Sequence, residues 1–496
     1  MLPRGPRSFV FAATVLFGAA LFWLVPRPPM GDLPQHAAQV VMLRELWTGT
    51  CRWSDLVRIN YFTPYLLGFT VAALLSFVVP VVVALKLTLT AGYFGFVSAG
   101  VALRKEFGAD GRLDWLLLPG YFGFAFHYGF LTFLVAAPLG LLFLLAGRRY
   151  AMAPTPRRAA AMIAAGLGLL CAHGLVFLFS VAVSLCIAAV KVDRRRLVSA
   201  VAPYAVLGVV AIAFFVNARV HDPALAQGPA PINFEWDKLG GWHRILAFPD
   251  YVVTSTLHDY RLLPIVLLMA AAPFALGDRP SRELWVWVPF AVVVGLWLIV
   301  PGEAARTNYL YHRFALFLLP TYALLFRDAG STPKGRTMAV EAGLAALCWL
   351  FFGAVALRER RFARESASFE DVLAAAEPNE RAMSVVLDPT SAAWPHPWAY
   401  HTYAVWYQVD RGGFVDFNFA AMLPEMVRFR PGRTPKIEAA VQDFDWHRDD
   451  ASIYRYFFVH HTAPVPVGLF DNDQCRVQLV RESSSWSLYE RRECSD

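Results

Sequence analysis

The sequence contains little charge for its length. Only 17% of its 496 residues are charged and 57% are hydrophobic, whereas soluble domains carry about 25% charge. Together with repeated apolar runs close to the length of a membrane span, this shortage of solvating side chains predicts a polytopic membrane protein. The net charge of +7 does not indicate nucleic-acid binding, because many Arg and Lys residues lie in short loops between the runs, where they orient membrane spans.

Motifs for metal binding, nucleophilic catalysis and nucleotide binding are also absent from the sequence. It has no Cys-x-x-Cys, His-x-x-x-His or Gly-x-Ser-x-Gly pattern and no Gly-x-x-x-x-Gly-Lys-Ser/Thr phosphate loop. We therefore predict no metal site and no direct use of ATP; an activated donor dissolved in the membrane fits this absence better. The chain also lacks the internal repeat that marks many transporters.

Twelve apolar runs divide the first 357 residues. They lie near residues 8–25, 64–79, 84–103, 113–127, 128–146, 159–172, 174–190, 197–216, 261–277, 284–300, 314–326 and 338–357. The positive-inside rule places the basic N-terminus and the basic loops 148–158, 191–196, 279–282 and 327–336 in the cytoplasm. Segments 26–63, 217–260 and 301–313 then lie outside, along with the tail after Leu357.

This topology requires an odd number of crossings, so one of the twelve runs must not cross. Segment 113–127 is short and is interrupted by Pro119 and Gly120, which predicts a re-entrant or interfacial segment and about eleven crossings. Lys86 interrupts the run 84–103, so the alternative is that this run does not cross and 113–127 does. The sequence leaves both alternatives open.

The first external loop contains the motif Gly31-Asp32-Leu33-Pro34-Gln35-His36. Asp32 and His36 are four residues apart and share one face of a predicted interfacial helix over residues 33–48. The motif is also typical of a helix start, with Asp32 as the N-cap and Gln35 completing a capping box. A structural and a catalytic role for Asp32 therefore both remain open.

Further candidate residues are predicted at the outer ends of spans: His127, His173, Arg306, His312 and Arg313. The run 314–326 is shorter than the ~20 residues needed to cross, so its helix is expected to begin near Tyr309. Arg313 would then lie below the headgroups and need an anionic partner. Two guanidinium groups, those of Arg306 and Arg313, suit a lipid phosphate or pyrophosphate.

Each of these residues also has a structural interpretation. The arginines could extend to lipid headgroups, and the histidines could be satisfied residues at helix ends. The loop 217–260 offers several possible second carboxylates, none of which stands out by spacing: Asp222, Glu235, Asp237, Asp250 and Asp259.

Residues 358–496 have the polar, aromatic composition of a soluble α/β domain. A helix is predicted over 369–376, buried strands over 383–388 and 454–459, and a hairpin over 475–494. Cys475 and Cys494 fall opposite each other in that hairpin, where cross-strand spacing permits a disulfide. An oxidising, extracytoplasmic compartment would favour it.

The external loop with its early Asp, the many spans and the Arg-bearing segment before a late span resemble the GT-C class of membrane glycosyltransferases. Residues 31–36 are similar to the Asp-Leu-x-x-His pattern of poorly characterised bacterial members, and Tyr309-Leu-Tyr-His-Arg313 and the aromatic tail resemble features of that group. The resemblance implies a mainly α, GT-C-like transmembrane bundle with a C-terminal extracytoplasmic α/β domain.

The resemblance also implies an activity. A sugar would move from a polyprenyl-phosphate donor to a glycan, lipid or protein acceptor on the outer face of a bacterial cytoplasmic membrane, with Asp32 as catalytic base. His36, His127, His173, His312, Arg306 and Arg313 would bind substrate. Leu33 follows Asp32, so there is no adjacent acidic pair, which argues against a divalent metal. The alternatives are a non-catalytic assembly or scaffold protein with the same fold and a lipid-linked glycan transporter.

Overall fold

The computed structural model describes residues 6–191, 197–221, 244–245, 247–254, 261–304, 307–330, 332–422, 425–435 and 440–494. The chain separates into two compact units, and each is described by itself. Unit 1 contains Met1–Trp23, Phe62–Gly68 and Leu87–Ala356; unit 2 contains Leu24–Tyr61, Phe69–Lys86 and Leu357–Asp496. The loop that carries Asp32 therefore belongs to the same unit as the C-terminal tail.

Helices dominate the first three quarters of the chain. They are α1 (Pro6–Leu21), α2 (Leu33–Thr48), α3 (Leu66–Leu75), α4 (Val81–Phe107), α5 (Phe124–Tyr128), α6 (Leu131–Met152), α7 (Pro156–Ala172), α8 (Gly174–Lys191), α9 (Leu197–His221), α10 (Leu263–Ala275), α11 (Leu284–Ile299), α12 (Leu318–Ala323), α13 (Lys334–Glu365), α14 (Phe369–Ala375) and α15 (Trp406–Arg411).

Short strands lie in the loops of each unit, and the longer strands lie in the tail. They are β1 (Val57–Ile59), β2 (Arg279–Pro280), β3 (Glu303–Ala304), β4 (Thr307–Asn308), β5 (Phe326–Arg327), β6 (Arg381–Val386), β7 (Phe414–Val415), β8 (Val427–Phe429), β9 (Tyr456–His460), β10 (Cys475–Ser483) and β11 (Trp486–Cys494).

Several helices have the length and apolar composition of membrane spans. Among the described residues there are five: Val81–Phe107, Leu131–Met152, Gly174–Lys191, Ser199–Asn217 and the long stretch Lys334–Ala375. Four shorter apolar helices accompany them: Arg7–Leu21, Leu66–Leu75, Leu263–Ala275 and Leu284–Ile299. The chain is thus built as an integral membrane protein, while the figure of eleven crossings stays a prediction.

The helices of unit 1 pack closely where small residues face one another. In α6, a Cβ added to Gly140 would lie 2.8 Å from Val176 Cγ1 and 2.9 Å from Ser180 Oγ, both on α8. Only glycine lets the two helices approach this far, as is common in membrane bundles. Helix α6 also packs against α7, and α8 packs against α11.

Two of the predicted runs differ from membrane-spanning helices. Residues 111–117 and 119–122 form 3₁₀ turns that are followed by the five-residue α5, whereas 84–103 lies inside the 27-residue α4. This favours the alternative in which 113–127 does not cross the membrane and 84–103 does.

The helix expected from Tyr309 to 326 is wrong: residues 312–317 form a 3₁₀ helix and α12 has six residues.

The basic loops of unit 1 contact one another and share carboxylate partners. Arg148 and Arg149, near the C-terminal end of α6, pair with Glu106 at the end of α4. Strands β2 and β5 pair antiparallel, which joins the loop after α10 to the loop after α12. Loops that the positive-inside rule assigns to one side therefore meet at one end of the unit.

A single arginine ties three of these loops together. The Arg112 guanidinium forms ion pairs with Asp110 at 2.5 Å, with Asp278 at 2.7 Å and with Asp328 at 2.7 Å. The Asp278 carboxylate is fully shielded from solvent. Three charge-assisted bonds from one side chain fix the loops that follow α4, α10 and β5.

Unit 2 contains a five-stranded mixed sheet in the order β10-β11-β9-β6-β7. Strand β6 is parallel to β7 and to β9, and the hairpin β10–β11 joins β9 antiparallel. The inner strands β6 and β9 are almost fully buried, in keeping with their continuous apolar sequences. Helix α14 packs against the hairpin.

The C-terminal hairpin turns at the serines that the sequence indicates. Its last cross-strand pair is Ser483 with Trp486, and its first pair is Cys475 with Cys494. A disulfide links these two cysteines. The described thiols of Cys51, Cys171, Cys186 and Cys348 are free.

Candidate functional site

The predicted site residues divide between the two units. Asp32 and His36 belong to unit 2, and His127, His173, His312 and Arg313 belong to unit 1. Arg306 lies outside the described residues, as do the possible carboxylates Asp222, Glu235, Asp237 and Asp259. The candidate residues therefore form two groups, one in each unit, and each group is described by itself.

Asp32 occupies the N-cap position of α2, but its side chain makes no capping hydrogen bond. Its backbone is already helical, with φ −91° and ψ −1°, whereas a residue that caps through its side chain has an extended backbone. The Asp32 carbonyl accepts the His36 N–H at 3.1 Å, so the helix begins through its backbone. The half-buried carboxylate is not used to start the helix.

The capping box predicted for Gln35 is wrong, because its side chain binds the tail instead. Gln35 Nε2 donates to the Phe417 carbonyl at 2.8 Å, and Gln35 Oε1 accepts the Phe419 N–H at 3.0 Å. Four residues later, Gln39 binds the backbone of Val427 in the same two-way manner. The spacing of two glutamines on one face of an apolar helix was the signal that the sequence interpretation missed.

These bonds also correct the environment of α2. Its bounds match the predicted 33–48, but every residue from Leu33 to Leu43 is buried. The helix packs against α15 and the turns around residues 403–405 and 419–421 of the tail. It is thus an internal helix of unit 2 and does not have the one-sided exposure expected of an interfacial helix.

His36 lies one turn after Asp32, with its ring fixed between aromatic side chains. The ring centroid is 5.5 Å from that of Phe69 and 5.6 Å from that of Phe419. The residue is 4% exposed, so its orientation is set by packing. This environment suits a positioning role beside Asp32.

In unit 1, three side chains form a stack with His312. The Arg244 guanidinium lies 3.8 Å from the Tyr311 ring centroid, Tyr311 stacks on His312 at 3.8 Å, and His312 stacks on Phe124 at 5.0 Å. Arg244 also donates through Nε to the Trp297 carbonyl at 2.6 Å. Sequence reasoning did not single out Arg244, because its partners come from distant segments.

A glycine allows the wall of this cluster to form. A Cβ on Gly123 would overlap the Val252 carbonyl, so only glycine lets α5 approach the segment 247–254. That contact brings Tyr251 to His312 at 5.1 Å, edge to face, and to Phe124 at 5.1 Å. The result is an imidazole enclosed by aromatic rings, with a guanidinium at one end of the stack.

Arg313 is buried through backbone and aromatic contacts. Its Nε donates to the Tyr309 carbonyl at 3.2 Å and one terminal nitrogen donates to the Asn308 carbonyl at 3.0 Å. The guanidinium lies 3.8 Å from the Phe130 ring centroid. Tyr309 has φ +58°, a costly conformation for an aromatic residue, and this bend turns its carbonyl to Arg313.

His173 and Arg313 are within electrostatic range of each other. His173 Nδ1 accepts the Leu175 N–H at 3.2 Å, so the neutral ring carries its proton on Nε2. No described residue accepts a hydrogen bond from this buried Nε2. Tyr65 and Phe133 hold the ring at 5.0 and 5.3 Å between centroids, and the donor is thus pre-oriented.

His127 has a local structural contact. Its Nδ1–H donates to the Gly123 carbonyl at 2.9 Å, four residues earlier, and the residue is fully buried. This local bond agrees with the helix-end role that the sequence left open for His127, and a substrate contact through Nε2 stays a prediction. The described carboxylate nearest in sequence to the aromatic cluster is Asp250, which is fully buried beside Tyr251.

Among the described residues, no group of three or more His, Cys, Asp or Glu side chains is arranged to hold a metal ion. The polar side chains around His312, His173 and Arg313 in unit 1 are instead hydrogen-bond donors and cations on an aromatic framework. Side chains of this chemistry are typical of oxyanion sites, including phosphate sites.

Comparisons with known proteins identify the fold. No known protein family and no curated protein sequence matches the chain. A crystal structure of ArnT from Cupriavidus metallidurans bound to undecaprenyl phosphate is similar over 97% of both chains, with a TM-score of 0.55 and 12% sequence identity. At this identity the likeness shows the fold alone. The chain is therefore an integral membrane protein with the GT-C fold.

Proposed function

We propose that this protein is a membrane glycosyltransferase that moves a sugar from a polyprenyl-phosphate donor to an acceptor on the extracytoplasmic face. The observation that carries the proposal is the likeness over 97% of both chains to an ArnT structure bound to undecaprenyl phosphate. The cluster of cations and imidazoles in unit 1 supports it, because it offers oxyanion ligands within apolar surroundings.

In the proposed reaction, an acceptor hydroxyl attacks the anomeric carbon of the donor sugar. Asp32 takes the hydroxyl proton as general base, the new glycosidic bond forms, and the bond from the anomeric carbon to the phosphate oxygen breaks. The polyprenyl phosphate leaves with the bonding electron pair. Attack opposite the leaving group inverts the anomeric configuration.

The leaving phosphate is the proposed ligand of Arg313, His173 and His312. Charge develops on the phosphate as the bond breaks, and fixed donors stabilise it without reorganising. The carbonyls of Asn308 and Tyr309 hold the Arg313 guanidinium in one orientation. Arg306 stays a predicted second cation, and Arg244 is a positioning residue through Tyr311 and His312.

Asp32 is the proposed base because its half-buried carboxylate lies in the loop that resembles the acidic first loop of GT-C members. His36 would orient it or contact the acceptor. The disulfide between Cys475 and Cys494 supports an extracytoplasmic tail, because such bonds persist in oxidising compartments. We propose that the protein lies in a bacterial cytoplasmic membrane, as its resemblance to bacterial GT-C members implies.

The test is transfer of a labelled sugar from polyprenyl phosphate by the purified full-length protein and its Asp32→Asn variant. We expect the variant to insert normally, to bind undecaprenyl phosphate as the parent does, and to lose at least 100-fold in transfer rate. Asp55→Asn is the matched control, since Asp55 is an exposed carboxylate of the same loop.

The same assay, together with a transport assay on the protein reconstituted in vesicles, separates the alternatives. A parent protein that binds undecaprenyl phosphate but transfers no sugar from any donor tested would favour the scaffold protein. Movement of the lipid-linked sugar across a bilayer without a change in its covalent structure would favour the transporter. Full activity in the Asp32→Asn variant would remove Asp32 as the base.

A further inference from the structure

We propose that the tail of unit 2 contains a carbohydrate-binding site at the carboxyl ends of strands β6 and β9. An open cavity of about 440 Å³ lies there, between the segment that follows β9 and the turn of the β10–β11 hairpin. The proposal concerns binding only and does not depend on glycosyl transfer.

The location follows from the topology of the sheet. Strands β6 and β9 are parallel neighbours, with Val386 opposite His460 at their carboxyl ends. Ligands of α/β sheets bind outside the carboxyl ends of parallel strands, where the loops diverge. Thr462, two residues after β9, lines the cavity, whereas Asp388, two residues after β6, supports it from behind.

A hydrogen-bond network makes the base of the cavity rigid. Asp388 Oδ2 accepts the Thr462 hydroxyl at 2.7 Å, and Oδ1 accepts the Thr390 hydroxyl at 2.7 Å. His460 Nδ1 bonds to the Asp388 carbonyl at 2.5 Å, and Tyr400 stacks on the His460 ring at 3.9 Å. Because the Thr462 donor is used internally, its lone pairs remain to accept from a ligand.

The opposite wall comes from the hairpin turn. Ser484 and Ser485 line the cavity together with Glu482. Ser484 has φ +50°, at a position in two-residue turns where Asn or Gly is usual. Serine at this costly position presents a hydroxyl at the rim that neither glycine nor alanine would supply.

The chemistry of the lining selects the class of ligand. Hydroxyl groups, one carboxylate and the apolar surfaces of Ala463 and Pro464 line the cavity, and no described residue lining it is a lysine or an arginine. His461 is committed to the wall, because Nδ1 bonds to the Ala463 carbonyl and Nε2 to Ser487 Oγ, both at 2.9 Å. A phosphate would lack a cation here, whereas a pyranose matches hydroxyls with hydroxyls and its C–H face with the proline.

The test is binding of pyranosides to the full-length protein in nanodiscs, by saturation-transfer NMR and calorimetry. The probes are methyl glucopyranoside, glucosamine and inorganic phosphate. We expect both sugars to bind and phosphate not to bind. Thr462→Val and Ser484→Ala should each raise the Kd for the sugars about five- to tenfold, the usual effect of removing one hydrogen-bond partner.

Matched controls make the result specific to the cavity. Thr434→Val and Ser452→Ala change exposed residues of the same unit outside the cavity and should leave binding unchanged. Glu482→Gln should weaken glucosamine binding more than glucoside binding, because only glucosamine carries a positive charge. The Asp32→Asn variant should bind both sugars as the parent does, which separates this site from the proposed active site.

Absence of saturable sugar binding would overturn the proposal. Equal Kd values for the cavity variants and their controls would also overturn it, as would tighter binding of phosphate than of either sugar. Loss of sugar binding in Asp32→Asn would assign the binding to the active site and overturn a separate cavity site. Unchanged thermal unfolding of each variant is required as the folding check.

Discussion

The side-chain amide of Gln39 binds the backbone of Val427 in both directions. Gln39 Nε2 donates to the Val427 carbonyl at 3.1 Å, and Gln39 Oε1 accepts the Val427 N–H at 2.8 Å. Both residues are buried. A glutamine side chain thus adds to the pairing of strand β8, all three residues of which are in register with β1, and joins the loop 26–63 to the tail.

Replacing Gln39 by Met should destabilise the packing of α2 against the tail. The change keeps the volume but leaves a buried N–H and a buried carbonyl without their partner, at a cost of about 1–3 kcal/mol each. We expect faster hydrogen exchange in peptides that span α2 and β8, measured by mass spectrometry on the full-length protein. Gln442→Met, at an exposed position, is the control; equal exchange in both variants would contradict the role of Gln39.

Replacing Arg313 by Ala should weaken binding of undecaprenyl phosphate. Charge-assisted hydrogen bonds contribute about 1.5–3 kcal/mol, which corresponds to a roughly 10- to 150-fold rise in Kd. Arg313→Lys should lie between parent and Ala, because it keeps the charge but lacks the rigid planar fork of donors that a guanidinium offers to a phosphate. Native mass spectrometry of the purified protein with added lipid measures the effect.

The control for Arg313 is Arg157→Ala, since Arg157 is an exposed arginine of the same unit. We expect its Kd to equal that of the parent. If Arg313→Ala also binds the lipid as the parent does, Arg313 is not a phosphate ligand.

Acidification should destabilise the tail through His460. Burial lowers the pKa of His460 from 6.5 to about 4, and the residue is 1% exposed. The folded state therefore favours the neutral ring. The contribution of His460 to the free energy of unfolding is complete above pH 6.5 and is lost as the pH falls towards 4. The loss amounts to about 2 kcal/mol by pH 5.

Hydrogen exchange of peptides that cover β9, corrected for the intrinsic pH dependence, measures this loss. His460→Gln removes the titrating group and should flatten the change between pH 7 and pH 5. His447→Gln alters an exposed histidine of the same unit and should leave the parent profile intact. An unchanged profile in His460→Gln would show that another group controls acid stability.

Reduction of the disulfide between Cys475 and Cys494 should loosen the outer end of the β10–β11 hairpin. For cysteines 19 residues apart, loop-closure entropy gives an upper contribution of about 3 kcal/mol. We expect faster exchange in β10 after reduction, whereas the inner strand β6 stays protected. Alkylation of Cys475 or Cys494 in unreduced protein would contradict the bond.

The sequence predicted the tail better than the candidate site. The buried strands 383–388 and 454–459 correspond to β6 and β9, because a short apolar run between polar loops is a local pattern. Counting from the turn pairs Cys475 with Cys494, and the structure keeps this pair because the two register shifts between them and the turn cancel. The run 314–326 was wrongly predicted to be part of a membrane-spanning helix. Its residues are apolar because they are buried against other segments of the chain, and not because they have to cross a bilayer.

The capping box illustrates the opposite case. Gln35 has the position and the chemistry to bond to its own helix start, yet it bonds to Phe417 and Phe419. Nothing within a few residues of Gln35 identifies partners nearly 400 residues away. The same holds for Arg244 and Tyr311, which meet only because α5, α11 and the segment 247–254 pack together.

By itself, the sequence determined the membrane class, the apolar helices and the hairpin, since composition, periodicity and turn residues act over short stretches of chain. The tertiary structure decided which partners the buried polar side chains have. The Asp32 side chain does not cap α2, and the Gln35 side chain binds the backbone of the tail. A buried polar group takes whichever partner the packed chain brings within hydrogen-bond distance.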